Sequence, residues 1–389
     1  MLRKKSILAI STTLIITNLL MLSSTVFADT ATNLSVSSNV VLANQTSSLT
    51  LADMPSNLKS SIEWVWANRM VKEGSTNRKN TIFDQIYAGK GTLNYVVRWQ
   101  SDKNLTLTQR KSMETMISRQ INNWAKYLNG YDGWNYGNIN VKVVGWACAN
   151  ASQILDKQPD EIIYTDTIND ELNKINPSIP AALPVAPSEL SRQDHFDDAN
   201  YSYPGGLDKR FDMYLWGTSN FEGGAGGDWG QRVSDDYILS ILDADEAHII
   251  EHEMGHGFGL PDFYEDTDRP PGGFPTATIM WAGDSMTITD WDVWMLRYTW
   301  SQLKKDTVRF PVLPTVTIKY GDVNRDNKVN VLDYLLLNKY IKGIVKNFSS
   351  DSTLAADVNG DGYINVNDYV LLREFLCHKI RSFPVEIKS

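Results

Sequence analysis

The residues best placed to do chemistry gather in two stretches of this chain. The first is His252-Glu253-Met254-Gly255-His256, which continues as Gly257-Phe258-Gly259-Leu260-Pro261-Asp262. Side chains four apart on a helix share a face, so both imidazoles can reach one metal ion. Glu253 sits beside them, where a carboxylate can take a proton from a water at that metal. Gly259 allows the helix to end and the chain to reverse, and Pro261 discourages further helix. Asp262 then falls where a third ligand would return to the metal. Three protein ligands on zinc leave one position open, as hydrolytic zinc requires. The bland alternative is an ordinary helix with two exposed histidines and a salt-bridging Glu253; the completeness of the motif argues against it.

The second stretch is an internal repeat near the C-terminus. Asp322-Val323-Asn324-Arg325-Asp326 returns as Asp357-Val358-Asn359-Gly360-Asp361. Asp322, Asn324, Asp326 and Asp333 stand at positions 1, 3, 5 and 12 of an EF-hand-type loop, and Asp357, Asn359, Asp361 and Asp368 repeat them. Lys328 and Tyr363 would lend backbone carbonyls at position 7. Oxygen donors at this spacing suit Ca²⁺. Gly362 fits the sharp turn at position 6, where the first loop has Asn327, the next residue best able to adopt left-handed geometry.

Other candidates carry less. His248 and His256 are ~12 Å apart along a helix, too far to share an ion, so His248 reads as a supporting or core residue. His195, in Asp194-His195-Phe196-Asp197-Asp198, reads as part of a solvated acidic loop before a second metal site. Gly223 to Gly227 lacks phosphate-loop spacing and a following Lys, and reads as a flexible rim of an active site. Most of the 12 Trp are expected in the core.

These residues need elements to hold them. Leu93 to Trp99 alternates as a strand, and Thr106 to Leu128 carries an apolar helical stripe. Val141–Trp146, Glu161–Tyr164 and Phe211–Trp216 are strand-like; a Pro-bearing stretch runs from Pro177 to Pro204; Asn220 to Gly230 reads as a loop. Helices are expected over Asp245–Phe258 and Asp290–Leu303. Strands followed by a His-bearing helix imply an α+β domain with one twisted sheet.

The chain has 389 residues and a net charge of −9. It has no basic cluster beyond its start, which argues against nucleic acid as a partner. Residues 1–28 read as a secretory signal peptide: Arg3, Lys4 and Lys5, then an apolar run interrupted by Ser11, Thr12, Thr13 and Asn18, then Val26-Phe27-Ala28. No later stretch is apolar enough to span a bilayer. Residues 29–54 read as a flexible leader or short pro-segment, 55–305 as the catalytic domain, 306–319 as a linker and 320–389 as a small terminal domain. Cys148 and Cys377 are expected as free thiols, in different domains.

Two resemblances follow from these motifs. Residues 55–305, on His252 to Asp262 with Thr278-Ile279-Met280-Trp281 downstream, resemble the metzincin clan of zinc peptidases. That implies a twisted mixed sheet plus an active-site helix, one catalytic zinc on His252, His256 and Asp262, Glu253 as general base, and Met280 in a Met-turn beneath the metal. Asp262 stands where most members have His, and its charge should leave the metal less electrophilic. The two loop-helix units over 320–380 resemble a type I dockerin, a small all-α module with two structural calcium ions that binds a cohesin module on a scaffold. The contact positions this implies are Val331, Leu332, Val366 and Asn367, with Asn338-Lys339 in the first repeat against Arg373-Glu374 in the second. The inequality of those pairs implies one preferred docking orientation. The expected protein is therefore a secreted, cellulosome-associated endopeptidase acting on protein or peptide, monomeric before docking. A polysaccharide-degrading enzyme, or a non-catalytic cellulosomal component, is the alternative.

Overall fold

The computed structural model describes residues 49–312, 318–345, 348–361 and 363–387. The proposed signal peptide, most of the leader and Gly362 lie outside them. The helices are α1 (Ser56–Val65), α2 (Ile82–Ala88), α3 (Leu107–Ala125), α4 (Asp235–Ser240), α5 (His248–Gly257), α6 (Asp290–Leu303), α7 (Val331–Ile341), α8 (Ser350–Ala356), α9 (Val366–Leu376) and α10 (Pro384–Ile387). The strands are β1 (Thr92–Gln100), β2 (Asn140–Cys148), β3 (Ile163–Tyr164), β4 (Thr167–Asn169), β5 (Ala182–Pro184), β6 (Met213–Thr218), β7 (Gly224–Gly227) and β8 (Gly230–Ser234). The chain is a mixed α+β domain followed by a small helical module.

β1 is central and buried on both faces. The sheet runs β3-β2-β1-β6-β8-β7. Its pairs are parallel except at the edge, where β7 runs antiparallel to β8. Strand alternation sends Leu93, Tyr95, Val97 and Trp99 of β1 into the main core, together with Trp124, Met254, Phe258, Met280 and Trp291 from the helices and turns. Val96 joins a smaller cluster on the other face. There β5, inside the Pro-bearing stretch, pairs back with β4, which lies ahead of that stretch, as an antiparallel hairpin. Asp170 fastens it to Arg232 (2.6 Å) and Gln100 (2.9 Å).

Three boundaries differ from the sequence reading. Leu49 bridges to Tyr131 and Leu51–Asp53 form a helical turn, so residues 49–54 belong to the folded domain and not to the leader. Arg309 binds Asp84 and Phe310 is buried against Tyr87 and Trp300, so the domain continues into the segment read as linker. The His-bearing helix begins at His248 and not Asp245, because α3 holds the preceding turn: Arg119 donates to the Ala244 carbonyl (2.6 Å) and Asn123 to that of Asp245 (2.8 Å).

The Gly-rich segment is not a loop. Gly224–Gly227 is edge strand β7, lying against α5 so closely that a Cβ on Gly226 would stand 2.4 Å from the Glu253 carbonyl oxygen and 2.6 Å from Glu253 Cβ. Glycine is depleted in strands by propensity, but only glycine permits this approach. Trp99, Trp124, Trp291 and Trp300 are fully buried, and both cysteines are free. Among the described residues no helix is long and apolar enough to cross a membrane.

Candidate metal centre

α5 places His252 and His256 on one face, with ring centroids 4.9 Å apart. The helix then ends in a Schellman motif: Gly259 N–H donates to the His256 carbonyl (2.9 Å) and Leu260 N–H to that of Gly255 (3.0 Å). Gly259 takes the required left-handed conformation, φ +93°. The reversal brings Asp262 back beneath the helix. Asp262 Oδ1 lies 3.1 Å from His252 Nε2 and 3.3 Å from His256 Nε2. Among the described residues this is the set of His, Cys, Asp and Glu whose donor atoms converge as metal ligands would.

Both imidazoles are aimed from behind. His252 Nδ1 lies 2.7 Å from the Ile279 carbonyl and His256 Nδ1 2.8 Å from that of Leu260. Each Nδ1–H can donate there, which leaves Nε2 as a lone pair turned inward. Asp262 Oδ1 is buried and accepts no hydrogen bond. Two lone pairs and a carboxylate oxygen facing each other repel unless a cation sits between them. Ligands ~2.1 Å from one tetrahedral zinc stand roughly 3.4 Å apart, close to the spacing here. The donor set therefore fits zinc.

The electrostatics agree. Burial alone would raise the Asp262 carboxyl, but the two imidazoles hold it well below the ordinary carboxylate range. Burial disfavours a charged His252, yet Asp262, the Ile279 carbonyl and Glu253 together lift its pKa above the usual imidazole value. Glu253 is buried and not a member of the converging set. Its Oε2 lies 3.9 Å from His256 Nε2, and desolvation raises its pKa against the lowering effect of the two histidines.

Met280 is fully buried in the turn after Ile279, and a Cβ on Gly255 would meet its Sδ at 2.4 Å. The thioether thus packs directly on α5 between the two histidines. Asp292 fixes that turn, accepting from Ile279 N–H (3.0 Å), Thr289 N–H (2.8 Å) and the Thr278 hydroxyl. A readable signal for Asp292 was present: Thr289 and Asp292 form the capping box of α6. Tyr264 was also missed. It is 53% exposed, and burial plus the charge of Asp262 push its pKa up to about 12. His248 is half-buried, with Nε2 lacking a hydrogen-bond partner. His195 stacks on Tyr201 at 3.6 Å, while Asp194, Asp197 and Asp198 beside it are exposed, as expected of a solvated acidic loop.

In the C-terminal module the donors of each repeat are turned onto their own loop. Asp322 accepts from Asp326 N–H (3.0 Å) and Asn327 N–H (2.9 Å), and Asp333 from Asn324 N–H and Asn330 N–H (both 2.9 Å). In the second loop Asp357 accepts from Gly360 N–H (2.8 Å), and Asp368 from Asn359 N–H (3.3 Å) and Asn365 N–H (2.9 Å). Lys328 and Tyr363 donate their N–H groups to Asp326 and Asp361. Asn327 adopts the expected left-handed geometry, φ +68°. Asp333 and Asp368 are fully buried. Burial, then neighbouring carboxylates, raise the pKa of both, that of Asp368 to about 6. An all-oxygen set with charge this compressed fits a divalent cation.

Helices α7 and α9 pack through stacked Tyr334 and Tyr369, 4.1 Å apart. Val331, Leu332 and Val366 are more than half exposed, and Lys339, Asn367 and Arg373 are exposed; Asn338 and Glu374 are half-buried.

The Dockerin type I domain family matches residues 320–377. No curated protein matches the chain. A ScaB dockerin from Acetivibrio cellulolyticus, solved in complex with the third cohesin of ScaC, is 43% identical; the match covers 17% of this chain and 93% of that one, with a TM-score of 0.17. A dockerin in the Coh-OlpC-Doc435 complex from Clostridium thermocellum is 45% identical, covering 17% and 96%, again with a TM-score of 0.17. A Cel5 dockerin, solved with the sixth cohesin of A. cellulolyticus scaffoldin B, is 38% identical, covering 17% and 100% at 0.16.

Proposed function

Since residues 320–377 are a type I dockerin domain, we propose that the chain is an extracellular cellulosome component: a zinc-dependent endopeptidase held on a scaffold through a cohesin. The observation that carries the enzymatic half is the convergence of His252, His256 and Asp262 on one point with Glu253 beside it. The three side chains would hold zinc. Zinc bound there would lower the pKa of a water and polarise a carbonyl.

The chain's own residues supply the rest. Glu253, not itself a ligand, accepts a proton from the attacking water and returns it to the departing amine. Its desolvation makes it a stronger base than an exposed glutamate. Tyr264, whose hydroxyl is influenced by the Asp262 charge, would serve as a donor to a carbonyl oxygen that gains charge. Among the described residues no strand lies beyond β7 in the sheet, so its outer edge would offer backbone groups to an extended peptide. That edge favours peptide over polysaccharide as the substrate class.

In the C-terminal module, calcium would be held by Asp322, Asn324, Asp326, Lys328 and Asp333, and by Asp357, Asn359, Asp361, Tyr363 and Asp368. Exposed Val331, Leu332 and Val366 provide apolar surface for a cohesin, with Asn367, Asn338, Lys339, Arg373 and Glu374 around it.

The test is metal analysis of the full chain beside a casein digestion assay. One zinc per chain is expected. Glu253→Gln should keep that zinc while losing ~10²–10⁴-fold in rate. Undiminished turnover would assign the base elsewhere, and polysaccharide cleavage without proteolysis would favour the alternative enzyme class.

A further inference from the structure

We infer that Arg69, in the turn that extends α1, is the positioning residue for the third metal ligand; the inference rests on the metal-centre reading above. His252 and His256 are fixed by the helix that carries them. Asp262 lies outside α5, and its carboxylate is only as well placed as the strap of backbone that returns it. Arg69 holds that strap at both ends. Its Nη1 donates to the Asp262 carbonyl (2.8 Å) and to the Asp268 carbonyl (3.0 Å), and lies 3.4 Å from Asp268 Oδ1. Nε binds Glu73, and the guanidinium stands 5.8 Å from the centre of the Phe263 ring. The side chain is 13% exposed.

A single nitrogen with two protons thus ties two carbonyls, a geometry that a planar, permanently charged guanidinium holds and an ammonium does not reproduce. The backbone that presents Arg69 is unusual. Trp66–Met70 form a π-turn closed by Val71 N–H on the Trp66 carbonyl (2.9 Å), and single π-turns are frequent at functional sites. The next residue, Met70, is buried and puts its methyl 3.6 Å from the place a Gly259 Cβ would occupy. The same turn therefore touches the strap at its reversal, at the ligand and at its far end.

The probe is zinc alone, added to the metal-free full-length chain in calcium and followed by competition with a chromophoric chelator. Cobalt substitution reads the coordination geometry by its visible bands. Arg69→Ala should weaken zinc by ~10–100-fold, the usual cost of losing an outer partner of a ligand, and shift the cobalt bands. Arg69→Lys should recover part of the affinity. Lys59→Ala, which removes an exposed ion pair on the same helix, should change neither readout. If Arg69→Ala does not fold, Arg69→Gln carries the same test. Wild-type affinity and an unaltered cobalt spectrum in the folded variant would overturn the inference while leaving the zinc site standing. A wild-type chain that binds no zinc would overturn both.

Discussion

The proposed zinc site and the two calcium loops are assembled in opposite ways. The candidate zinc donors are close in sequence, but the groups that aim them are remote. Ile279 orients His252, Arg69 ties the strap of Asp262, Asp292 pins the turn under α5, and β7 covers Glu253. In the calcium loops the described N–H donors to Asp322, Asp333, Asp357 and Asp368 belong to the same loop as their acceptor. The carboxyls show the consequence. Imidazoles hold Asp262 below its usual range before any ion arrives, whereas burial and neighbouring acids push Asp368 up to about 6. A site aimed by a large core can stand ready for its ion; a site aimed only by its own loop needs the ion in order to persist.

Calcium removal should give the largest effect. The small module's core is Val323, Leu337, Phe348, Ala356, Val358, Leu372 and Phe383, and a core of that size is marginal alone. Binding energy then becomes folding energy. Calorimetry of the full chain should show two transitions in calcium, with a chelator abolishing that of the module and leaving that of the large domain. Protons should act as a weak substitute. Asp368 titrates near 6 when folded and near ~4 when unfolded, so the folded form binds the extra proton. Any structure left in chelator is favoured at and below pH ~4 and loses that contribution as pH rises through 6. A module that melts identically with and without calcium would erase the contrast.

The same contrast explains what was legible in the sequence. Donor residues are encoded locally: four-residue spacing on a helix, Gly259 at its end, and loop positions one to twelve. These appear in the structure where the spacing puts them. Arg69 reaches Asp262 across 193 positions, and no local pattern marks a carbonyl such as that of Ile279. β7 was read as a loop because four residues with three glycines look like one. Its strand character comes from pairing with β8 and from α5 pressing on it, both tertiary facts.

Gly226 and Gly224 sharpen this point with a smaller effect. A Cβ on Gly226 would strike the backbone and Cβ of Glu253, which cannot step aside, so Gly226→Ala should cost ~1–3 kcal/mol in stability. A Cβ on Gly224 would strike Glu253 Oε1 at 2.1 Å and Ile249 Cγ2 at 2.7 Å, both side-chain atoms that can move. Gly224→Ala should therefore spare stability but displace the proposed base and lower turnover. Denaturant melts beside hydrolysis rates separate the two. Equal stability losses would mean that the strand and not the carboxylate sets the tolerance at both positions.

The smallest effect asks whether the two calcium loops are equivalent to each other. Position 4 is left-handed in both: Arg325 at φ +63° in the first, Gly360 at φ +69° in the second. An L side chain in that region costs ~1–2 kcal/mol, which glycine avoids. A Cβ on Gly360 would also stand 2.9 Å from Val385 Cγ2. Gly360→Ala should thus lower the stability of the calcium-loaded module by ~1–2 kcal/mol. Arg325→Gly relieves strain in the first loop but adds ~0.5–1 kcal/mol of chain entropy and removes a partner of Asp351 at 3.9 Å. Those terms nearly cancel, so the variant should stay within about 1 kcal/mol of the parent. Denaturant titration of the module's transition in saturating calcium measures both. A large loss in Arg325→Gly would show that Arg325 holds the first loop by contacts that outweigh its strained backbone, and that the repeats keep their shape by different means.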